Sequence, residues 1–271
     1  MSSSNDKISR FRQIVWKYYR VHGRHDLPWR QTLDVYKVLV SEVMLQQTQV
    51  DRVIPFYKNF IKQFPSAKKL AAAPLSDVLV AWQGLGYNRR AKMLHSAAKE
   101  LELRKITSIP ELETLPGVGP YTARAVAAFT WNVDSTVIET NIRTVVIHHF
   151  FPNTEKVSDV EIEKVLTLAL PKAKSREWYS ALMDYGAHLK RSGISHNAKS
   201  RGYAKQSKFT GSLREARGTL VRALTEKSSS RATLVNLLGS TRRAQMQKAL
   251  DALRTEGLVQ TKKGRYVLAG G

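Results

Sequence analysis

No cysteine occurs anywhere in the 271 residues. Its absence excludes disulfides, thiolate zinc sites and any iron–sulfur cluster held by four cysteines. Acidic residues are scarce, with 22 Asp and Glu against 44 Lys and Arg, so the formal charge is +22. Charge this one-sided opposes compaction and usually serves an acidic partner. There is no run of 18 apolar residues and no basic amphipathic helix apart from the core pattern, so nucleic acid is expected as that partner and a membrane is not. Met1 to Lys7 lacks the apolar centre of a signal peptide, which leads us to expect a cytoplasmic, DNA-associated protein of prokaryotic type. No fixed-period repeat is visible, which argues against a solenoid. The seven histidines do not suggest a metal site, because His148 and His149 point apart on a helix and His22 and His25 bracket a loop.

What is present is mostly helix. Ile8, Phe11, Val15 and Tyr18 recur at helical spacing and Gly23 ends that helix. A segment from Val35 to Leu45 is apolar nearly all round and should be the buried central helix. Val53 to Phe64, Leu75 to Trp82, Ala91 to Leu101, Ile142 to Phe150, Val160 to Leu170 and Trp178 to Leu189 continue the pattern. From Lys190 to Lys208 there are six Lys or Arg and no acidic residue, as in a linker or a loop that follows DNA. Beyond it, helices from Leu220, over Ala232 to Leu238 and over Arg242 to Leu253 precede two short strands around Lys262-Lys-Gly264. Three helices and a basic hairpin look like a winged helix, a module that binds either protein or DNA. The basic wing and Arg242-Arg243 favour DNA. The expected domains are 1–189, a basic connection 190–211, and 212–271.

Two motifs carry chemistry. In Leu115-Pro-Gly-Val-Gly-Pro-Tyr-Thr-Ala123 the glycines permit a tight turn, and Pro120 suits the first position of the helix that follows. Such a turn aims backbone N–H groups and a helix dipole at an anion, here a phosphate. A carboxylate follows it at Glu139. In Ser41-Glu-Val-Met-Leu-Gln-Gln-Thr48 a second carboxylate, Glu42, lies inside the most apolar helix. Burial there should raise its pKa, which suits a general acid near neutral pH, although a core Glu paired to an Arg has the same pattern.

Leu27-Pro-Trp-Arg30, Ser41 to Val50, Trp82-Gln-Gly-Leu-Gly-Tyr87, Leu115 to Ala123 and Ala181-Leu-Met-Asp-Tyr-Gly186 resemble, in order, the MutY-type adenine DNA glycosylases of the helix-hairpin-helix superfamily. The resemblance covers residues 8 to 190 and implies a mainly α fold with two helical lobes and the active site between them. To this the C-terminal winged-helix-like α+β module is added. It implies excision of adenine mispaired with 8-oxoguanine or guanine in duplex DNA, after base flipping. It casts Glu42 as the acid that protonates adenine, Glu139 as the carboxylate that stabilises the cationic sugar, and Asn141 and Tyr121 as residues that support the acid and the cationic sugar. Trp29, Arg30 and Asp184 become parts of the adenine pocket. Gln47, Leu85 and Tyr87 match residues that wedge into the base stack and face the opposite base, with helix-end packing as the alternative for each, and Gln46 and Thr48 join them as substrate- or DNA-binding residues. Gly117, Val118, Gly119 and Thr122 hold phosphate, with a monovalent cation at the hairpin as the only accessory group. The protein is expected to act as a monomer.

Three departures follow from the same comparison. The second carboxylate is Glu139-Thr-Asn141 where the family has Asp-Gly-Asn, and a shift of one bond length can cost roughly 10²-fold in rate. The cluster cysteines are replaced by the basic stretch 190–208. The Nudix-like domain that reads 8-oxoguanine in the family is not visible in these residues, whose tail is patterned as a winged helix. Tyr121 stands where lyase relatives of the endonuclease III type carry a Schiff-base lysine, so base excision without efficient strand cleavage is expected. The alternatives are a thymine or uracil–guanine mismatch glycosylase of the same fold and a catalytically impaired DNA-binding protein.

Overall fold

The structure is a computed structural model and describes residues 4–201 and 208–270. The chain forms two compact units, each drawn from two stretches of sequence. One holds the described residues of 1–38 and 119–205, the other those of 39–118 and 206–271.

The first unit is built from α1 (Ser4–His22), a 3-10 turn at Pro28–Arg30, and α8 (Pro120–Trp131) to α11, with α9 at Thr140–Phe150, α10 at Asp159–Ala169 and α11 at Ser175–Arg191. Phe11, Val15, Ile142, Val146, Leu166, Trp178 and Leu182 form its core. α10 begins with a reciprocal capping box between Ser158 and Glu161. α11 crosses α9 so closely that a Cβ on Gly186 would lie 2.3 Å from the Asn141 carbonyl oxygen. Only glycine allows that crossing. The basic stretch expected at 190–208 divides. Lys190 and Arg191 finish α11, and Lys199 donates to the Pro152 carbonyl at 2.6 Å. Ser200 forms a bridge with Val157, and residues 202–207 lie outside the described part.

The second unit joins a helical lobe to the C-terminal module. Most of α2 (Val35–Leu45) belongs to it, with α3 (Val50–Gln63), α4 (Ala67–Ala72), α5 (Leu75–Ala81), α6 (Arg89–Leu103) and α7 (Ile109–Glu113). Phe60, Leu70, Leu79, Trp82 and Leu94 are fully buried in it. The module comprises α12 (Leu213–Glu226), α13 (Arg231–Val235), α14 (Arg243–Thr255) and the antiparallel strands β1 (Val259–Lys262) and β2 (Arg265–Leu268). Lys263 and Gly264 both have positive φ, 47° and 74°, as a two-residue hairpin turn that matches strand twist demands. Ser229 bridges to Tyr266, adding a short third edge. The module packs on the lobe: Gln83 donates to Thr225 Oγ1 at 2.6 Å and Lys92 to the Glu256 carbonyl. Arg242 is spent inside the module on Glu215 at 2.7 Å and Gln245 at 2.8 Å, so it secures α12 and does not stand out as a DNA contact.

Candidate active site

Glu139 occupies the N-cap of α9. Its Oε1 accepts from the backbone N–H of Asn141 at 2.8 Å and of Ile142 at 2.9 Å. Glutamate is not among the usual N-cap residues, because its extra methylene overshoots the short reach that Asp or Ser makes. The backbone of Glu139 is extended, φ −128° and ψ 177°, as is usual at an N-cap. Both cap bonds end on one oxygen, so Oε2 takes no part in the cap. Burial of the carboxyl group pushes its pKa up, opposed by the two N–H donors and by the positive charges of Lys190 and Arg143. Arg143 is itself fixed by a two-pronged pair with Asp159 at 2.9 and 2.7 Å. Tyr121, in the first turn of α8, is half-buried against the same core, and its ring is close enough to affect Arg143.

Arg30 and Asp184 are brought together in the same unit. Asp184 is 2% exposed and accepts from Arg30 Nη1 at 2.7 Å, Arg30 Nη2 at 3.0 Å, the Arg24 backbone N–H at 2.8 Å and Arg24 Nε at 2.7 Å. A carboxylate has about four lone-pair sites, so Asp184 on α11 is saturated by donors from the loop that holds Arg24 and Arg30. Burial drives its pKa up, yet Arg30 and Arg24 together hold it below the usual carboxylate range. Its role is to fix the loop 23–31, in which Trp29 is buried. Arg176 adds bonds to the carbonyls of Arg30 and Thr32. Arg24, which the sequence reading missed, has no local signal, since its partner lies 160 residues away.

In the second unit Glu42 is 6% exposed on α2, beside the fully buried Ser41. α2 ends at Leu45, and Gln46, Gln47 and Thr48 form the turn after it. Gln47 and Tyr87 both have left-handed backbone, φ 58° and 49°. Bulky residues held there cost on the order of 1–3 kcal/mol, and such strain collects at functional sites. Leu85 is buried at 5% exposed. Arg90 connects these segments. It donates to the carbonyls of Val43 at 2.7 Å and Gln46 at 2.6 Å, which are left open at the C-terminal end of α2, and to Leu85 and Gly86 at 3.3 Å each. Burial lowers its pKa to about 10, so it stays charged. The pair Arg89-Arg90 after the Gly-Leu-Gly-Tyr turn was the only signal for it.

The hairpin forms as its glycines suggested. Val118 donates to the Leu115 carbonyl at 3.0 Å, and Gly117 has φ 78° with its Cα against Met93. Gly119 caps α8 without a side-chain bond, Thr122 is buried in the first turn, and the Ala123 N–H donates back to the Gly119 carbonyl at 3.0 Å. Among the described residues no group of three His, Asp or Glu could hold a metal ion, and no helix is long and apolar enough to cross a membrane.

Residues 40–172 match the model of the HhH-GPD superfamily of base excision DNA repair proteins. An adenine DNA glycosylase of Mycolicibacterium smegmatis is 37% identical over 92% of this chain and 93% of its own length. That of Mycobacterium tuberculosis is 34% identical over 97% of this chain and 94% of its own. One from Buchnera aphidicola is 37% identical over 65% of this chain, which spans only 52% of that relative. Among solved structures, a thermostable thymine-DNA glycosylase aligns with TM-score 0.60 over 69% of this chain and 88% of its own, at 23% identity. A trapped endonuclease III–DNA covalent intermediate gives 0.56 over 70% and 88%, at 19%. Fold and hairpin together define a helix-hairpin-helix DNA glycosylase of base excision repair. Within that class, the chain belongs to the adenine DNA glycosylase family.

Proposed function

We propose that the protein hydrolyses the N-glycosidic bond of adenine mispaired with 8-oxoguanine or guanine in duplex DNA, without efficient strand cleavage. The single observation that carries the chemistry is the Glu139 carboxyl group, enclosed at the N-cap of α9 with one oxygen outside the cap. Unprotonated adenine leaves as a poor anion. Glu42 delivers a proton to N7, the electron pair of the breaking bond goes to the base, and water adds at the sugar carbon, its surplus proton returning to the Glu42 carboxylate. A positioned acid supplies about 10² to 10⁴ in rate. Glu139 Oε2 faces the developing oxocarbenium charge, much as a retaining glycosidase carboxylate does. Asn141 and Tyr121 support the acid and the cationic sugar, Trp29 forms a wall for the adenine, and the Arg30–Asp184 pair positions that wall. Gly117, Val118, Gly119 and Thr122 hold the phosphate. Gln46, Gln47, Thr48 and Tyr87 face the opposite base, and the molecule acts alone on DNA.

Tyr121 offers a hydroxyl and no amine, so no Schiff base forms with the abasic sugar. The test is incubation with duplexes carrying A·8-oxoG, A·G, T·G or U·G, with and without alkali. Strand breaks at adenine that appear only after alkali, and vanish in Glu42→Gln, are expected. Breaks without alkali, or breaks at thymine or uracil alone, would overturn the reading.

A further inference from the structure

Lys190 opens the basic stretch that the sequence suggested as a linker or a loop along DNA, yet it belongs to the last turn of α11. Its neighbour Arg191 is exposed, whereas Lys190 is half-buried. We propose that Lys190 is a positioning residue for the reaction, whose charge holds Glu139 ionised to meet the cationic sugar. The inference rests on the reading above and adds to it a residue outside the motifs that carry the family resemblance.

The geometry comes from the crossing of α9 and α11. Gly186 lies against the Asn141 carbonyl, two residues from Glu139. Residues four apart share a helix face, so Lys190 stands one turn beyond Gly186 on the face that α11 turns to the start of α9. Among the described residues, Glu139 is the one charged group that acts on Lys190, and Lys190 in turn favours the ionised form of Glu139. Burial lowers the pKa of the lysine and the charge of Glu139 opposes that fall. A buried carboxyl group needs such a neighbour, since desolvation favours its neutral form and a neutral acid stabilises no cation.

The other groups around Glu139 do this less directly. Arg143 faces it from α9 itself, but the two-pronged pair with Asp159 of α10 offsets that guanidinium. α8 contributes Tyr121, which brings no cation. Lys199, in the 3-10 turn packed on α9, is tied to the Pro152 carbonyl at 2.6 Å. The two cap N–H groups hold Oε1, and among the described residues no direct ion pair engages Glu139. The Lys190 ammonium therefore acts through space and leaves Oε2 to the sugar.

The test compares Lys190→Met, which keeps the apolar stem without the charge, with Lys190→Arg, which keeps a charge. Lys190→Gln repeats the loss of charge should the methionine variant fold poorly. One readout is the pH dependence of single-turnover adenine release, whose acid limb reports the group that must be ionised. The other is an NMR titration of the Glu139 carboxyl carbon in DNA-free protein with isotope-labelled glutamate, assigned through Glu139→Gln. Expected in Lys190→Met is a rise of both midpoints by about one pH unit, most of it reversed in Lys190→Arg. A lysine that only packs, or only holds phosphate, would alter melting or DNA affinity with both midpoints in place, and that result would overturn the inference. An equal rise in the arginine variant would overturn it too. Failure of adenine excision by the unsubstituted protein would overturn the functional reading alone, since the NMR midpoints are read without turnover.

Discussion

His149 shows how a single buried side chain sets pH dependence. It lies on α9 between Phe11 and Tyr185, with its Nε2 3.1 Å from the Tyr185 hydroxyl. Burial first, then the neighbouring His148 and Lys7, lower its pKa to about 4. An unfolded histidine titrates near 6.5, so the folded protein keeps this ring neutral while the unfolded chain takes up a proton. Its contribution to stability is complete above about pH 6.5 and is lost as pH falls towards 4. Glu139 has the opposite sign: with its pKa raised, its contribution is complete below the unfolded carboxylate value and is lost as pH rises through the folded one. A His149→Phe variant isolates the first effect. Urea midpoints measured from pH 7 to pH 4.5 should fall less steeply in the variant, by about one proton in slope. An unchanged slope would place the ring in water.

Among the elements, the crossing of α9 and α11 controls the site most directly. Gly186 presses on the Asn141 carbonyl, two residues from Glu139. Gly186→Ala would drive backbone against backbone, so the N-terminal end of α9 must move. We expect a loss of about 1–3 kcal/mol in stability, with a drop in single-turnover rate larger than the melting shift explains. Alanine tolerated without loss of rate would show that the crossing does not position the carboxylate. The sequence announced most elements. α2 spans Val35–Leu45 as its all-round apolar pattern predicts. α4 and α7 were missed because six and five residues are too short to show a period. Their caps, Ser66 and Ser108, were the only readable sign. Both carboxylates were legible as residues, but Glu139 was not legible as a helix cap, because glutamate is not among the residues that usually fill that position.

At the scale of the whole molecule, the charge of +22 pointed to an acidic partner, yet charge alone does not say which cations meet it. Arg12, Arg24, Arg30, Arg90, Arg176, Arg217 and Arg242 are all committed to internal carbonyls or carboxylates. Nor did contiguous sequence reveal that 39–118 groups with 206–271, since their contacts, such as Gln83 with Thr225, pair distant positions. The central claim is that a family member with glutamate at the sugar-side carboxylate is a working adenine glycosylase. The measurement that tests it is the single-turnover release of free adenine from an A·8-oxoG duplex by the unsubstituted protein and by Glu139→Gln, with melting curves alongside. The glutamine oxygen can still accept the two cap N–H bonds but carries no charge. We predict rapid release by the unsubstituted protein, and release slowed on the order of 10²-fold or more in Glu139→Gln with melting nearly unchanged. Equal rates in the two proteins, or no adenine from either, would contradict the account.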